Sequence, residues 1–185
     1  CREAVRELYV SRGMVCDWAM HDADGDGHCW QIVTKGHGTF SGNQGAVSYT
    51  CNPDNAKDYG VEQDNWLITP QISVTNALFN LSYKCVADDL DSKEYYEVLV
   101  SETGTAPTDF TVRLKSETLD NEYEDEPLLN SRTLSLKQFE GKKIYIAFRH
   151  KMSGSYALGI DDVAVTNQGG PKAPTGLSVT ADSKG

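Results

Sequence analysis

Three carboxylates stand on alternate residues in Asp22-Ala23-Asp24-Gly25-Asp26-Gly27, a run bracketed by His21 and His28. Alternation lets the three side chains converge on one cation. Their hard oxygen donors favour a hard ion, calcium first. Gly25 and Gly27 allow the tight turns, including positive φ, that convergence requires. The pattern matches the first half of an EF-hand loop. Where that motif supplies its bidentate glutamate, this chain has Val33, so the loop cannot finish a coordination shell alone.

Two further clusters offer the missing oxygens. One is Glu62-Gln63-Asp64-Asn65, just ahead of the apolar Trp66-Leu67-Ile68-Thr69-Pro70. The other is Asp161-Asp162, set inside Gly159-Ile160 and Val163-Ala164-Val165, which otherwise reads as a buried strand. A strand interior seldom tolerates unpaired carboxylates. Either cluster could finish the shell begun by Asp22, Asp24 and Asp26, which makes Asp64, Asn65, Asp161 and Asp162 the further candidate ligands.

Other chemistry fits less well. His21, His28, Cys29, His37 and His150 could suggest nucleophilic or zinc chemistry, but no HExxH helix, CxxC pair or GxSxG elbow accompanies them. Paired acids hydrolyse glycosides when one stays protonated across a cleft. A bound cation would instead keep Asp22, Asp24, Asp161 and Asp162 ionised. The chain is expected not to be an enzyme, with a glycoside hydrolase as the lesser alternative.

These residues must be positioned by strands. His28–Thr34 alternates with period two, as do Phe79, Leu81, Tyr83 and Cys85 against Asn80, Ser82 and Lys84. Tyr96/Val98/Val100, Phe110/Val112/Leu114 and Ile144/Ile146/Phe148 repeat the pattern. Short strands are also expected at 46–51, 66–69, around Leu134 and Leu136, and at 156–165. The remainder of 35–59 is rich in Gly, Ser, Asn and Asp and reads as loop. About ten short strands with no long helical pattern indicate an all-β fold: a two-sheet antiparallel β-sandwich of jelly-roll type.

The 185 residues carry a formal charge of −10, which argues against a nucleic-acid surface, since phosphate binding needs clustered Lys and Arg. No apolar run approaches the roughly 20 residues of a membrane-spanning helix. The acidic runs at 88–91 and 120–126 read as solvated loop charge. Five cysteines leave an odd thiol. Cys1 is read either as a processed lipoprotein residue carrying a lipid anchor or as a chain boundary; pairing among Cys16, Cys29, Cys51 and Cys85 stays open. Residues 1–167 form the domain, and 168–185 begin with the linker Gln168-Gly169-Gly170-Pro171.

Taken in order, Asp17-Trp18 leading into Asp22–Gly27, Asp64–Pro70, Ile144–His150 and Gly159–Val163 resemble the cleaved-adhesin, or choice-of-anchor J, jelly-roll domains. These domains include the adhesin modules of gingipains and haemagglutinins. The resemblance covers most of residues 14–166 and implies a calcium-bound jelly roll whose ion joins the acidic loop to the Asp-Asn and Asp-Asp clusters. It adds Glu7 as a ligand, although Arg6 stands where the family carries Phe. It also implies a noncatalytic, calcium-stabilised adhesion or ligand-binding module, secreted or at the cell surface and associated with the outer membrane. The partner is a protein or glycan of a host or neighbouring cell. The alternative is an accessory module beside a surface peptidase or glycosidase. Residues 171–180 look like the start of a fibronectin type III module.

Overall fold

The structure, a computed structural model, describes residues 18–34, 44–52, 55–59, 62–87, 93–120, 129–152 and 155–168. Among them run β1 (Ala19–Asp22), β2 (Gln31–Thr34), β3 (Gln44–Tyr49), β4 (Cys51–Asn52), β5 (Asn55–Tyr59), β6 (Asn65–Ile68), β7 (Ile72–Ser73), β8 (Phe79–Ala87), β9 (Lys93–Ser101), β10 (Val112–Asp120), β11 (Asn130–Ser135), β12 (Lys143–His150) and β13 (Ala157–Asn167). The helical residues described are two 3-10 turns, Pro107–Asp109 and Lys137–Phe139.

Eleven of these strands form two facing antiparallel sheets, and β4 pairs with β5 apart from them. The first has the order β1-β6-β12-β9-β10, with β7 added beside β12; the second has the order β11-β8-β13-β3-β2. The all-β sandwich expected from the alternation is what the chain adopts. Period-two side chains explain why: Leu81, Tyr83 and Cys85 of β8 meet Tyr96, Val98 and Val100 of β9 and Ile144, Ile146 and Phe148 of β12 in one core. Tyr83 stands edge-on to Phe148, ring centroids 5.0 Å apart.

Strand β6 is buried along its whole length. Leu67 faces the main core, while Trp66 and Ile68 join Leu99, Phe110 and Ala147 in a second cluster. Phe110, read as the first residue of its strand, lies in the turn before β10 and stacks at 5.5 Å from Trp66. Leu136 likewise follows β11 rather than ending it, and is fully buried.

Asn52 of β4 and the whole of β5 correct the expectation of loop, and β7 is a strand that the alternation does not indicate. The β4–β5 hairpin carries Asn, Lys and Asp instead of an apolar stripe, and β7 is only two residues that extend the sheet beside β12. Backbone pairing needs no apolar periodicity. The fibronectin-like tail, Glu7, Cys1 and Cys16 lie outside the described residues. Of the cysteines, Cys29 is disulfide-bonded and Cys85 is free and buried.

Candidate metal centre

The acidic run links the end of β1 to β2, so it bridges an edge strand of one sheet to an edge strand of the other. Gly25 and Gly27 take φ of +78° and +87°. Nothing lies within 4 Å of where either would carry a Cβ, so backbone conformation, not space, demands glycine there. Those turns aim the loop amides inward. Gly25 and Gly27 donate to the two carboxylate oxygens of Asp22 at 2.7 and 2.9 Å. Asp26 N donates to Asp24 at 3.1 Å and His28 N to Asp26 at 2.7 Å.

The result is one oxygen each from Asp22, Asp24 and Asp26 within 4.8 Å of one another, with Asp24 and Asp26 exposed. A carboxylate oxygen that accepts one N–H keeps a second lone pair. This donor set suits a hard divalent cation held by oxygen. The charge within the set is unbalanced. Among the described residues the ion pair to this cluster comes from His28, 3.5 Å from Asp26 and charged only when protonated. Burial pushes the Asp24 carboxyl up, and although the amides of Asp26 and Asp64 oppose it, Asp22 and Asp26 add to the rise. Burial also penalises the Asp22 anion, but hydrogen bonds from Asp24 and from the amides of Gly25, Gly27 and Asp26 together hold it below the usual carboxylate range.

Asp64 approaches the loop with its main chain. Its N–H donates to Asp24 Oδ2, and its carbonyl accepts from Ala23 N at 3.0 Å. Its carboxylate is directed elsewhere: Arg149 grips both oxygens at 2.6 Å, and the Trp66 indole N–H donates at 2.9 Å. The guanidinium also lies 4.9 Å over the Trp66 ring and reaches Glu97 at 3.1 Å. Asn65 is buried, and its amide N–H groups go to Ser48 Oγ and Gln63 Oε1. Its Oδ1 is a buried acceptor without a donor.

Asp161 and Asp162 stand two strands in from the β2 edge, at a bulge in β13. Asp162 takes φ of +48°, and its carboxylate meets Lys84 at 2.9 Å. Asp161 is buried and accepts the Asp162 amide at 2.7 Å. Among the described residues the fold gathers Asp22, Asp24 and Asp26, joins Asp64 to them through its backbone, and ties Asp162 to a lysine on the neighbouring strand. Glu7 lies outside the described residues.

A family model described as Cleaved Adhesin Domain matches residues 4–165. The chain belongs to the cleaved adhesin family. It is 32% identical over 183 residues to Hemagglutinin A of Porphyromonas gingivalis, a match covering 89% of this chain and 7% of that protein. The K1 cleaved adhesin domain of Lys-gingipain from P. gingivalis W83 superposes with a TM-score of 0.70 at 29% identity, covering 82% of this chain and 91% of that one. A carbohydrate-binding module solved with β-1,4-galactotriose shares the fold alone, at a TM-score of 0.51 and 10% identity over 82% of this chain and 88% of that one.

The cleaved adhesin domain also holds a group that the sequence did not bring together. Ser48, His150 and Glu94 are fully buried, with Ser48 Oγ 2.9 Å from His150 Nδ1 and His150 Nε2 2.8 Å from Glu94 Oε2. The three sit on β3, β12 and β9, and no local spacing predicts their meeting. An open cleft of about 460 Å³ beside the acidic loop is lined by Asp24, Glu62, Gln63, Asp64, Lys151 and Met152.

Proposed function

We propose that this chain is a noncatalytic adhesion or ligand-binding module of an extracellular multi-module protein, in which Asp22, Asp24 and Asp26 hold a calcium ion. The observation that carries the metal assignment is the convergence of three carboxylates with no Lys or Arg paired to them among the described residues. When bound, the ion supplies the positive charge that the loop lacks. The chain's own residues do the rest: glycine turns aim the carboxylates, and the Asp64 main chain fastens the loop to β6.

Several observations support a module over an enzyme. Family membership links the domain to adhesins and to the adhesin part of a gingipain. The Ser48-His150-Glu94 array has the partners of a hydrolase triad, but all three are fully buried and no substrate can reach them. The Asp162 carboxylate is tied to Lys84 instead of facing an open cleft. The Cys29 disulfide suits an oxidising compartment. No helix among the described residues is long and apolar enough to cross a membrane.

The test has two parts. Calcium titration by calorimetry should give a saturable heat that Asp24→Asn removes; no heat at millimolar calcium sinks the metal assignment. Binding to immobilised glycans and cell-surface proteins, run beside a hydrolase panel, should give a saturable ligand without turnover, and turnover would overturn the module assignment. The chain matches 10% of Lys-gingipain and 17% of Protease PrtH, which favours a second reading: an accessory module whose partner is a catalytic domain in the same polypeptide. Deleting the domain from its parent protein and measuring catalysis separates the two.

A further inference from the structure

A chain of hydrogen bonds runs from the surface loop into the closed end of the sandwich. Gln63 Nε2 donates to Asp26 Oδ2 at 3.2 Å, and Gln63 Oε1 accepts from Asn65 Nδ2. Asn65 Nδ2 also donates to Ser48 Oγ at 3.2 Å. From there the chain continues through His150 to Glu94, whose Oε1 accepts the Tyr156 amide at 2.9 Å. Every inner member is buried: Gln63 is 2% exposed, and Asn65, Ser48, His150 and Glu94 are 0% exposed. Ser48 and Tyr156 belong to the sheet of β3 and β13 or its loop, while Asn65, His150 and Glu94 belong to the other sheet. The chain therefore fastens both sheets to the loop.

From the Asp26 end its direction is dictated as far as Ser48. A carboxylate only accepts, so Gln63 must present its NH₂ to Asp26 and its carbonyl to Asn65. Asn65 must then present its NH₂ to both Gln63 and Ser48, which leaves its own Oδ1 without a donor. Beyond Ser48 the roles are set from the other end: the Glu94 carboxylate only accepts, so His150 donates from Nε2 and a neutral ring accepts the Ser48 hydroxyl at Nδ1. The two ends meet at Ser48 Oγ, which accepts from Asn65 and donates to His150.

We infer that Gln63 is a positioning residue that couples the acidic loop to the Ser48–His150–Glu94 network, so that cation affinity and closure of this end of the sandwich rise and fall together. The inference rests on the calcium assignment proposed above. Partners behind a metal ligand typically change metal affinity by about 10–100-fold when removed. Gln63→Met keeps the side-chain length and deletes both hydrogen bonds.

The experiment measures calcium affinity by calorimetry, together with amide hydrogen exchange, in the wild type and in Gln63→Met. In the wild type, calcium should slow exchange of the Tyr156 and Ser48 amides as well as those of 22–28. Gln63→Met should weaken calcium about tenfold and confine the slowing to the loop. Slowing confined to the loop in the wild type, or an affinity unchanged within twofold in the variant, overturns the coupling. Absence of any calcium heat sinks the metal assignment separately. The coupling is then decided in the metal-free protein, where Asp26→Ala, which removes the acceptor of Gln63, should speed exchange of the Ser48 and Tyr156 amides. Unaltered exchange overturns it, and the same variant serves if Gln63→Met does not fold.

Discussion

The two open edges of the sandwich treat their carboxylates in opposite ways. At the β10–β11 edge, Glu117 meets the Arg132 Nε and Nη2 groups at 2.6–3.1 Å, the Tyr96 hydroxyl at 2.7 Å and Lys115 at 3.2 Å. Burial works against its anion, yet these donors outweigh burial and hold its pKa at about 2. Behind it the Tyr83 and Tyr96 hydroxyls lie 2.9 Å apart, and burial pushes both phenols and the Cys85 thiol up. At the β1–β2 edge, Asp22, Asp24 and Asp26 are held by N–H groups and by each other. The first edge carries its own counter-charge; at the second, no Lys or Arg among the described residues pairs with these acids.

The comparison breaks most visibly at Arg132. Arg132→Met removes the bidentate partner of a half-buried carboxylate, leaving it Tyr96 and Lys115, and should lower unfolding free energy by about 3 kcal/mol in urea melts, without changing calcium affinity. A loss below 1 kcal/mol would mean that the two edges do not differ. Next, calcium at about 100 times its Kd should add about 2.7 kcal/mol to the wild type, and Asp22→Asn or Asp24→Asn should abolish that gain.

The Glu117 pair also sets a pH dependence. Because its folded pKa is depressed, its stabilisation is fully present above about 4.5 and is lost as pH falls towards about 2. A stability–pH profile should show Glu117→Gln flattening the acid limb by about 1–2 kcal/mol. Smallest of all, Asp162→Asn removes a pair whose side chains are 33% and 50% exposed and keeps a residue that tolerates positive φ. It should cost at most about 0.5 kcal/mol and leave calcium affinity within twofold. A larger fall in affinity would return Asp162 to the ligand set.

Much of this was legible in the residues themselves. Alternation at Phe79–Cys85 and Lys143–Phe148 announced half-buried strands, and the sheets follow. The convergence of Asp22, Asp24 and Asp26 was equally legible, because these carboxylates and the glycine turns lie within one short segment. Asp161-Asp162 was correctly read as a disturbance within a strand, but its cause is a bulge facing Lys84 on β8. Sequence adjacency cannot supply that partner. The β4–β5 hairpin was missed because its polar residues carry no hydrophobic period.

The acidic loop and the two-layer scaffold were thus set by the sequence alone, since both depend on interactions between near neighbours or on a repeat of two. Only the folded chain decided what each acid does. Asp64 has its carboxylate taken by Arg149, 85 residues away, and Ser48 finds His150 at a separation of 102. Whether a carboxylate binds an ion, a guanidinium or an amide depends on which charge the packing of distant strands brings within reach. Local composition holds no record of that distance.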